Sequence, residues 1–217
     1  MTSRRVPPVK AAAVLGHAMR SSASRLALGG HALARAVLQD PFPPLHAGPR
    51  GRVLRFYWAG TIIYEYEPTI YLPKRSTQSL HQDFTVQCEK MDIPFLSYLP
   101  TEVQLINDAY NLLIDAMLGP EADCSNIKEP YSGILVTLKQ VNVPIVSVDV
   151  PSGWDAEEPS QGGISPDVLI SLTAPKKCAM SFSGKHFLAG RFLPYDIQKK
   201  YELNIPEYPG TDCTIEL

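Results

Sequence analysis

The sequence predicts an α/β domain built on a mostly parallel β-sheet. From about residue 64 onward, short apolar segments of strand composition alternate with segments of helical periodicity, an order typical of strands joined by crossover helices. Two of these strands, LLIDAML at 112–118 and VLISLT at 168–173, are almost continuously apolar. Such strands are expected in a sheet that is covered on both faces. The 217 residues are enough for one such domain and an extension.

Each predicted element follows from its local pattern. Leu80, Phe84 and Cys88 are spaced as on one face of a helix, and a run of apolar residues in 131–141 lies on one helical face in the same way. Helices are predicted over 31–39, 79–91, 101–110, 131–141 and 196–203. Strands are predicted over 53–58, 61–72, 94–99, 112–118, 144–150, 168–173 and 186–193, most of them ended by Gly or Pro.

Charge divides the chain into a basic front and an acidic body. Residues 1–55 hold nine Lys or Arg and one acid, and the remainder holds eleven basic and 21 acidic residues. Residues 1–39 contain no acid but several Arg and Ser, which is typical of a mitochondrial transit peptide, and a disordered basic tail fits equally well. We therefore expect an extension at 1–39, partly disordered, and a domain at 40–217. The expected location is mitochondrial or cytoplasmic, with secretion as the alternative.

Several classes of function are disfavoured by composition. The acidic body argues against nucleic acid as a partner. No apolar run approaches the ~18 residues of a membrane span. The four cysteines are too far apart for a zinc site. The histidines are scattered, none neighbours a nucleophile in the sequence, and we interpret His81 and His186 as surface or core residues.

Asp115 is the most informative candidate for a site, because it lies inside an apolar strand. A buried carboxylate carries a desolvation cost unless it is paired or hydrogen-bonded. A carboxylate and a hydroxyl suit a hard cation, and Asp115 with Ser152 would supply both. The alternative is that Asp115 caps a helix or accepts backbone N–H bonds.

Two other predicted strands also end in polar groups. Asp149 precedes Pro-Ser-Gly, where it would either bind a ribose hydroxyl or start a turn. Thr173 ends the strand at 168–173, and Lys176 and Lys177 follow it. Ligands of open α/β sheets bind at the carboxyl ends of strands, so we expect a site where these groups meet.

Long motifs in the chain resemble a known family. They are YEPTIYLPKR (66–75), QCEKMDIPFL (87–96), LLIDAMLG (112–119), VPIVSVDVPSGWD (143–155), PDVLISLTAPKKCA (166–179) and YPGTDC (208–213). In this order they resemble the YjeF N-terminal domain family, the NAD(P)H-hydrate epimerases, also called apolipoprotein A-I-binding proteins. Residues 87–110 are most similar to a vertebrate paralogue in that family.

The resemblance implies a Rossmann-like three-layer α/β/α sandwich, often dimeric. It implies interconversion of the R and S forms of NADHX and NADPHX as substrates, with a potassium ion as cofactor. Asp115 and Ser152 match the family's potassium ligands, and Asp149 and Gly119 match its substrate-binding positions. The implied partners are apolipoprotein A-I and a second copy of the chain, with roles in cholesterol efflux to HDL and in angiogenesis.

The chain departs from the family pattern at both phosphate-binding segments. The glycine-rich N-N-G-G-D-G loop and the helix after it are absent, so the domain is expected to be incomplete at 55–65 and to lack the first phosphate-loop unit. A parallel crossover needs ~12 or more residues. We therefore expect 53–58 to pair antiparallel with the next strand, to extend it, or to stay unpaired. After Gly119, the acids Glu121 and Asp123 replace the family's G-F-S-F-K-G sequence.

Three functional hypotheses follow. The departures favour a non-catalytic or weakly catalytic binding protein related to apolipoprotein A-I binding. The alternative is an active NAD(P)H-hydrate epimerase, which would need phosphate binding without glycine N–H groups. The third hypothesis is a product that lacks a stable fold, because the loss of one strand–helix unit exposes the apolar faces of its neighbours.

Overall fold

The strands of this protein form one sheet, in which further strands are added on both sides of two adjacent central strands. The computed structural model describes residues 52–56, 67–75, 77, 79–158, 162–189, 191 and 193–217. Within these ranges the sheet has eight strands in the order β3-β2-β1-β4-β5-β6-β7-β8. All neighbours run parallel except β7 and β8, which are antiparallel.

The bounds of the elements follow the predicted segments closely. The strands are β1 Arg52–Phe56, β2 Glu67–Tyr71, β3 Phe95–Leu96, β4 Leu112–Asp115, β5 Ile145–Val148, β6 Val168–Leu172, β7 Lys185–Ala189 and β8 Thr214–Glu216. The helices are α1 Ser79–Lys90, α2 Val103–Ala109, α3 Tyr131–Leu138 and α4 Tyr195–Lys200, with a 3₁₀ helix at Lys177–Ser181. The predicted helix at 31–39 lies outside the described residues.

The prediction that β1 cannot be a parallel neighbour of β2 is wrong. β1 pairs parallel with β2 on one side, Arg52 opposite Glu67, and with β4 on the other, Phe56 opposite Asp115. The expected minimum length applies to a crossover that contains a helix. The ten residues from 57 to 66 reach roughly 35 Å when extended, whereas a five-residue strand is about 17 Å long. The connection is therefore long enough for a parallel return without a helix.

The direction of strand addition reverses between β1 and β4. From β1 the chain adds β2 and β3 on one side, then crosses back to β4 and continues outward through β7. Such a reversal forms a crevice at the carboxyl ends of β1 and β4. The topology therefore sets the candidate site beside Asp115.

Both faces of the sheet are apolar. Face 1 carries a buried cluster of strand residues and one cysteine: Leu112, Ile114, Val146, Val168, Ile170, Phe187, Ala189 and Cys213. Face 2 packs Leu113 and Ile145 against α2 and α3, which contribute Ile106, Ile134, Leu135 and Leu138. The alternation of successive strand residues between the two faces explains the near-continuous apolar runs in the sequence.

The last strand was not predicted. β8 comes from the segment after YPGTDC and pairs antiparallel with β7, Ala189 opposite Thr214. Three residues are too short for a period-2 pattern to be recognised in the sequence. β8 is the edge strand of the sheet on this side.

Candidate functional site

Polar side chains converge where β4, β5 and β6 end. Asp115 is the last residue of β4, and Asp149 and Thr173 come directly after β5 and β6. Each of the three is less than 10% exposed. The expectation that the strand-end groups meet at one edge is confirmed by the parallel register of these strands.

Asp115 is fully buried and accepts four hydrogen bonds. Its Oδ2 accepts from Ser147 Oγ at 2.9 Å and from the Ser152 backbone N–H at 2.8 Å. Its Oδ1 accepts from Ser152 Oγ at 2.6 Å and from the Met117 N–H at 3.3 Å. Burial raises the pKa of Asp115, and these hydrogen bonds oppose that rise. The carboxylate thus ties β4, β5 and the Pro-Ser-Gly loop together.

The predicted pair of potassium ligands, Asp115 and Ser152, is in direct contact. A carboxylate offers about four lone-pair sites, and four protein donors use those of Asp115. The Ser152 hydroxyl donates to Asp115 and accepts from the Leu118 N–H at 3.1 Å. In this arrangement the donor set does not fit a cation, which would have to displace some of these bonds. The arrangement matches the alternative in which Asp115 accepts backbone N–H bonds, and potassium stays a prediction.

Asp149 forms a buried ion pair with Lys176. The Lys176 side chain is 1% exposed, and its Nζ donates to Asp149 Oδ1, to the Leu172 carbonyl at 3.0 Å and to the Ala174 carbonyl at 3.3 Å. An ammonium has three protons, so these acceptors satisfy Lys176 completely. Asp149 Oδ1 also accepts from the Leu172 N–H at 3.1 Å. The carboxylate is therefore held by the end of β6.

Two residues at this edge have left-handed backbones. Asp149 has a φ of +69° and Thr173 a φ of +68°. This conformation is uncommon for Asp and is strained for a β-branched residue such as Thr. The Asp149 N–H donates to the Ile170 carbonyl at 2.8 Å, and the Thr173 N–H donates to the Ala189 carbonyl at 2.7 Å. Hydrogen bonds to neighbouring strands therefore hold these two left-handed residues in place. Strained residues of this kind are often found at functional sites.

The loop after β5 is fixed by a second loop packed on it. The Trp154 Nε1 donates to the Ile164 carbonyl at 2.8 Å, and the Ile164 N–H donates to the Ser152 carbonyl at 3.2 Å. A side chain at Gly163 would place its Cβ 2.3 Å from Trp154 Cδ1 and 2.9 Å from the Ser152 carbonyl oxygen. Only glycine fits there, and Trp154 packs against this loop and beside Val150, Ala156 and Cys178.

The segment after Gly119 is acidic and contacts the loop after β5. Cys124 Sγ donates to the Trp154 carbonyl at 2.9 Å, which places this segment against that loop. Burial raises the pKa of the Cys124 thiol, and the charges of Asp155 and Asp123 raise it further. The Gly119 carbonyl accepts from the Ala122 N–H at 3.1 Å within a turn. The carboxylates of Asp123 and Asp155 therefore act on the segment in which the family resemblance predicts phosphate binding.

Comparison with known proteins assigns the family. Residues 57–178 match the family described as YjeF-related protein N-terminus. The chain belongs to this family. The matched range contains Asp115, Asp149, Ser152 and Lys176, so the whole cluster at the carboxyl ends of β4 to β6 lies within the YjeF_N domain.

Vertebrate YjeF_N proteins are similar to most of the chain. It is 81% identical over 155 residues to zebrafish YjeF N-terminal domain-containing 3, and the match covers 71% of this chain and 63% of the relative. It is 58% identical over 158 residues to human YjeF N-terminal domain-containing protein 3, covering 71% of this chain and 53% of the relative. The chain thus spans between half and two thirds of these relatives, and the predicted resemblance to a vertebrate paralogue is confirmed.

A solved YjeF_N structure has the same fold. The crystal structure of the yeast protein ynu0 superposes with a TM-score of 0.79 at 26% identity, covering 98% of this chain and 100% of the yeast chain. The predicted fold class, a Rossmann-like α/β sandwich with a mostly parallel sheet, is confirmed.

A buried serine–histidine pair lies on face 2 of β6 and β7. Ser171 Oγ is 2.8 Å from His186 Nε2, and Ser171 is fully buried. No histidine neighbours a nucleophile in the sequence, and cross-strand pairing, which the sequence does not show, brings His186 to Ser171. His186 is half-buried and Phe182 packs edge-on against its ring, which agrees with its interpretation as a surface or core residue. A substrate has no access to this hydroxyl.

Acid is expected to weaken the fold through His186. Burial lowers the pKa of His186 to about 4, below the ~6.5 of an unfolded histidine. The unfolded state therefore binds a proton first, and stability is lost as the pH falls from 6.5 towards 4. Urea unfolding of the full chain at several pH values should show that the free energy of unfolding falls less with acid in the variant His186→Gln than in the native protein. The variant His81→Gln is the control. The same dependence of the free energy of unfolding on pH in all three proteins would contradict this role of His186.

Two site residues were not predicted in their roles. Ser147 lies in PIVSVDV two positions before Asp149, and a serine in that apolar strand was the available signal. Lys176 was noted only as following the strand. Its pairing with Asp149 depends on the bend at Thr173, which no sequence pattern indicates.

Proposed function

We propose that this chain is a non-catalytic binding protein of the YjeF_N family. A dinucleotide needs main-chain amides or cations for its pyrophosphate. Lys176 is engaged by Asp149 and two carbonyls, and the charges that act on Cys124 are those of Asp123 and Asp155. The observation that carries the proposal is the presence of these two carboxylates at the segment that contacts the loop after β5 through Cys124.

The second support is the short connection at the centre of the sheet. In α/β sheets the loop that leaves the strand next to the reversal, here β1, faces the ligand. Ten residues join β1 to β2, and the sequence of this connection has a single glycine, Gly60. A glycine-rich amide cradle followed by a helix of ordinary length does not fit into ten residues.

The proposed partner is apolipoprotein A-I, in line with the family resemblance, with roles in cholesterol efflux to HDL and in angiogenesis. Surface binding of a protein needs neither the phosphate loop nor a reactive group. Among the described residues, no helix is long and apolar enough to cross a membrane.

Epimerase activity decides between the proposal and its rival. Separately purified R and S forms of NADHX are incubated with the full chain, and their interconversion is followed by chromatography, with the yeast protein ynu0 assayed in parallel. We expect a rate indistinguishable from the uncatalysed one. A rate within about tenfold of ynu0 would show the chain to be an enzyme, if ynu0 itself is active.

Binding to apolipoprotein A-I is tested separately. The full chain is immobilised and lipid-free apolipoprotein A-I is passed over it, with serum albumin as the control ligand. We expect saturable binding, because a surface contact needs neither the phosphate loop nor a reactive group. No saturable binding up to about 10 μM would contradict this partner, since standard-size protein interfaces bind in the μM to pM range.

The second candidate function is an active NAD(P)H-hydrate epimerase with a potassium ion. It is favoured by one observation, the match of residues 57–178, which contain Asp115, Gly119, Asp149 and Ser152, to the YjeF_N family. In this case Asp149 and Gly119 would bind the substrate, and a cation would require Asp115 and Ser152 to give up the hydrogen bonds that now occupy them. Potassium-dependent interconversion of NADPHX, absent in sodium, would support it.

A further inference from the structure

The carbonyl groups next to the Ser152 side chain already have protein donors, as Asp115 and the Ser152 hydroxyl do. The Pro151 carbonyl accepts from the Trp154 N–H at 2.9 Å, and the Ser152 carbonyl accepts from the Ile164 N–H at 3.2 Å. A hard cation is held by a shell of oxygen atoms, which include carboxylates, hydroxyls and carbonyls. At each of these oxygens a cation would compete with a protein hydrogen bond.

Ser147 supplies a hydroxyl that completes the bonds of Asp115. It is fully buried in β5, and its Oγ donates to Asp115 Oδ2 at 2.9 Å. The Ser152 hydroxyl and the N–H groups of Ser152 and Met117 donate to the same carboxylate. In the part of the chain that the structure describes, no Lys, Arg or His is paired with Asp115. Hydrogen bonds to a carboxylate favour its charged form, so these four donors offset its burial without a counter-ion.

We infer that these four donors take the place of the cation that the family resemblance implies at the end of β4. The bonds of Asp115 with Ser147, Ser152 and Met117, together with the bond from Leu118 to Ser152, form what we call the Asp115 network. The network holds the ends of β4 and β5 together without a bound cation. This inference does not rest on the proposed function, because the network consists of protein groups alone.

The Asp115 network joins the segment after β4 to the loop after β5. The Leu118 N–H donates to Ser152 Oγ at 3.1 Å, and this hydroxyl donates to Asp115 Oδ1 at 2.6 Å. The Met117 N–H donates to the same Oδ1 at 3.3 Å. A cation held by Asp115 and Ser152 would displace some of these bonds, so the exchange of the amide hydrogens of residues 117, 118 and 152 would respond to the cation.

Urea unfolding of the native chain and of Ser152→Ala in three chloride salts tests the inference. The salts are those of potassium, sodium and tetramethylammonium, each at about 0.15 M. A cation at 100 times its Kd that binds only the folded state lowers the unfolding equilibrium constant about 100-fold. We expect Ser152→Ala to raise this constant by the same factor, within about twofold, in all three salts. A factor that exceeds this range in potassium or sodium chloride would overturn the inference, because an ion would then contribute.

Ser125→Ala is the matched control, because the exposed Ser125 hydroxyl also donates to an aspartate, Asp123, at 2.5 Å. Its unfolding constants measure the general effect of the three salts on a chain with an intact Asp115 network. They are subtracted before the factors for Ser152→Ala are compared.

Exchange of single amide hydrogens, followed by NMR in the native chain, decides the matter if Ser152→Ala does not fold. The rates at residues 117, 118 and 152, each relative to that at Ile145, should be the same in potassium and in tetramethylammonium chloride. The Ile145 N–H is the control because it donates to a different carboxylate, Asp167 Oδ2, at 2.8 Å. A relative rate that potassium changes by more than about twofold would overturn the inference.

Discussion

Replacing Asp115 with alanine is expected to lower the free energy of unfolding by about 4 kcal/mol. The change leaves four donors without their acceptor, from Ser147, Ser152 and Met117, at a position with no solvent access. Each buried group left unpaired costs about 1–3 kcal/mol, and removal of the buried charge offsets part of this sum. Urea unfolding of the full chain at pH 7 measures the difference.

Asp123→Ala is the matched control for this change. Asp123 is also an aspartate with local partners, the Ser125 N–H at 3.0 Å and the Ser125 hydroxyl at 2.5 Å, but it is exposed. Surface changes of this kind usually alter stability by less than about 1 kcal/mol. If Asp115→Ala lowers the free energy of unfolding as little as Asp123→Ala does, the hydrogen bonds to Asp115 do not hold the strand ends together.

Lys176→Met is expected to cost about 3 kcal/mol, and most of it should be recovered by adding Asp149→Asn. The Lys176 side chain is 1% exposed and that of Asp149 11%, so each single change leaves its partner's charge nearly buried and unpaired. Breaking a buried pair costs about 3–5 kcal/mol, whereas replacing both partners is often tolerated. A double-mutant cycle from urea unfolding gives the coupling energy between the two residues.

The exposed pair of Arg75 and Glu89 provides the comparison cycle. Its atoms are 3.0 Å apart, but the side chains are 67% and 44% exposed. Exposed pairs contribute about 0–1 kcal/mol. We expect the coupling energy of the Asp149–Lys176 pair to be clearly larger. Equal coupling energies in the two cycles would mean that burial of the Asp149–Lys176 pair has no energetic consequence.

The sequence was sufficient for the elements and their alternation, because apolar strands and helical spacing are local properties. The helix at Ser79–Lys90 and the strand at Val168–Leu172 agree with their predicted segments to within one residue at each end. The parallel pairing of β1 was missed because a length rule for helical crossovers was applied to a connection of ten residues. Which strands pair is determined by the packing of the whole sheet, so the sequence of one strand and its connection does not decide it.

Asp115, Asp149 and Ser152 were named from the sequence, whereas Ser147, the hydrogen bonds of this cluster and the ion pair with Lys176 were not. Asp115 and Ser152 were expected to meet and they do, since their strand ends are in register. The Ser147 hydroxyl and the Lys176 ammonium supply what the two aspartates need, and both arrive from neighbouring strand ends that only the fold brings close. Partners far apart in sequence are beyond any local pattern.

Nucleotide binding tests the central claim most directly. Calorimetric titration of NADPH into the full chain, with ynu0 titrated in parallel as a protein of the same fold, measures whether the strand ends can hold a pyrophosphate. No saturable heat is expected for this chain up to about 1 mM ligand. Saturable binding at about 10 μM would contradict the claim, because it would show a working dinucleotide site in this chain.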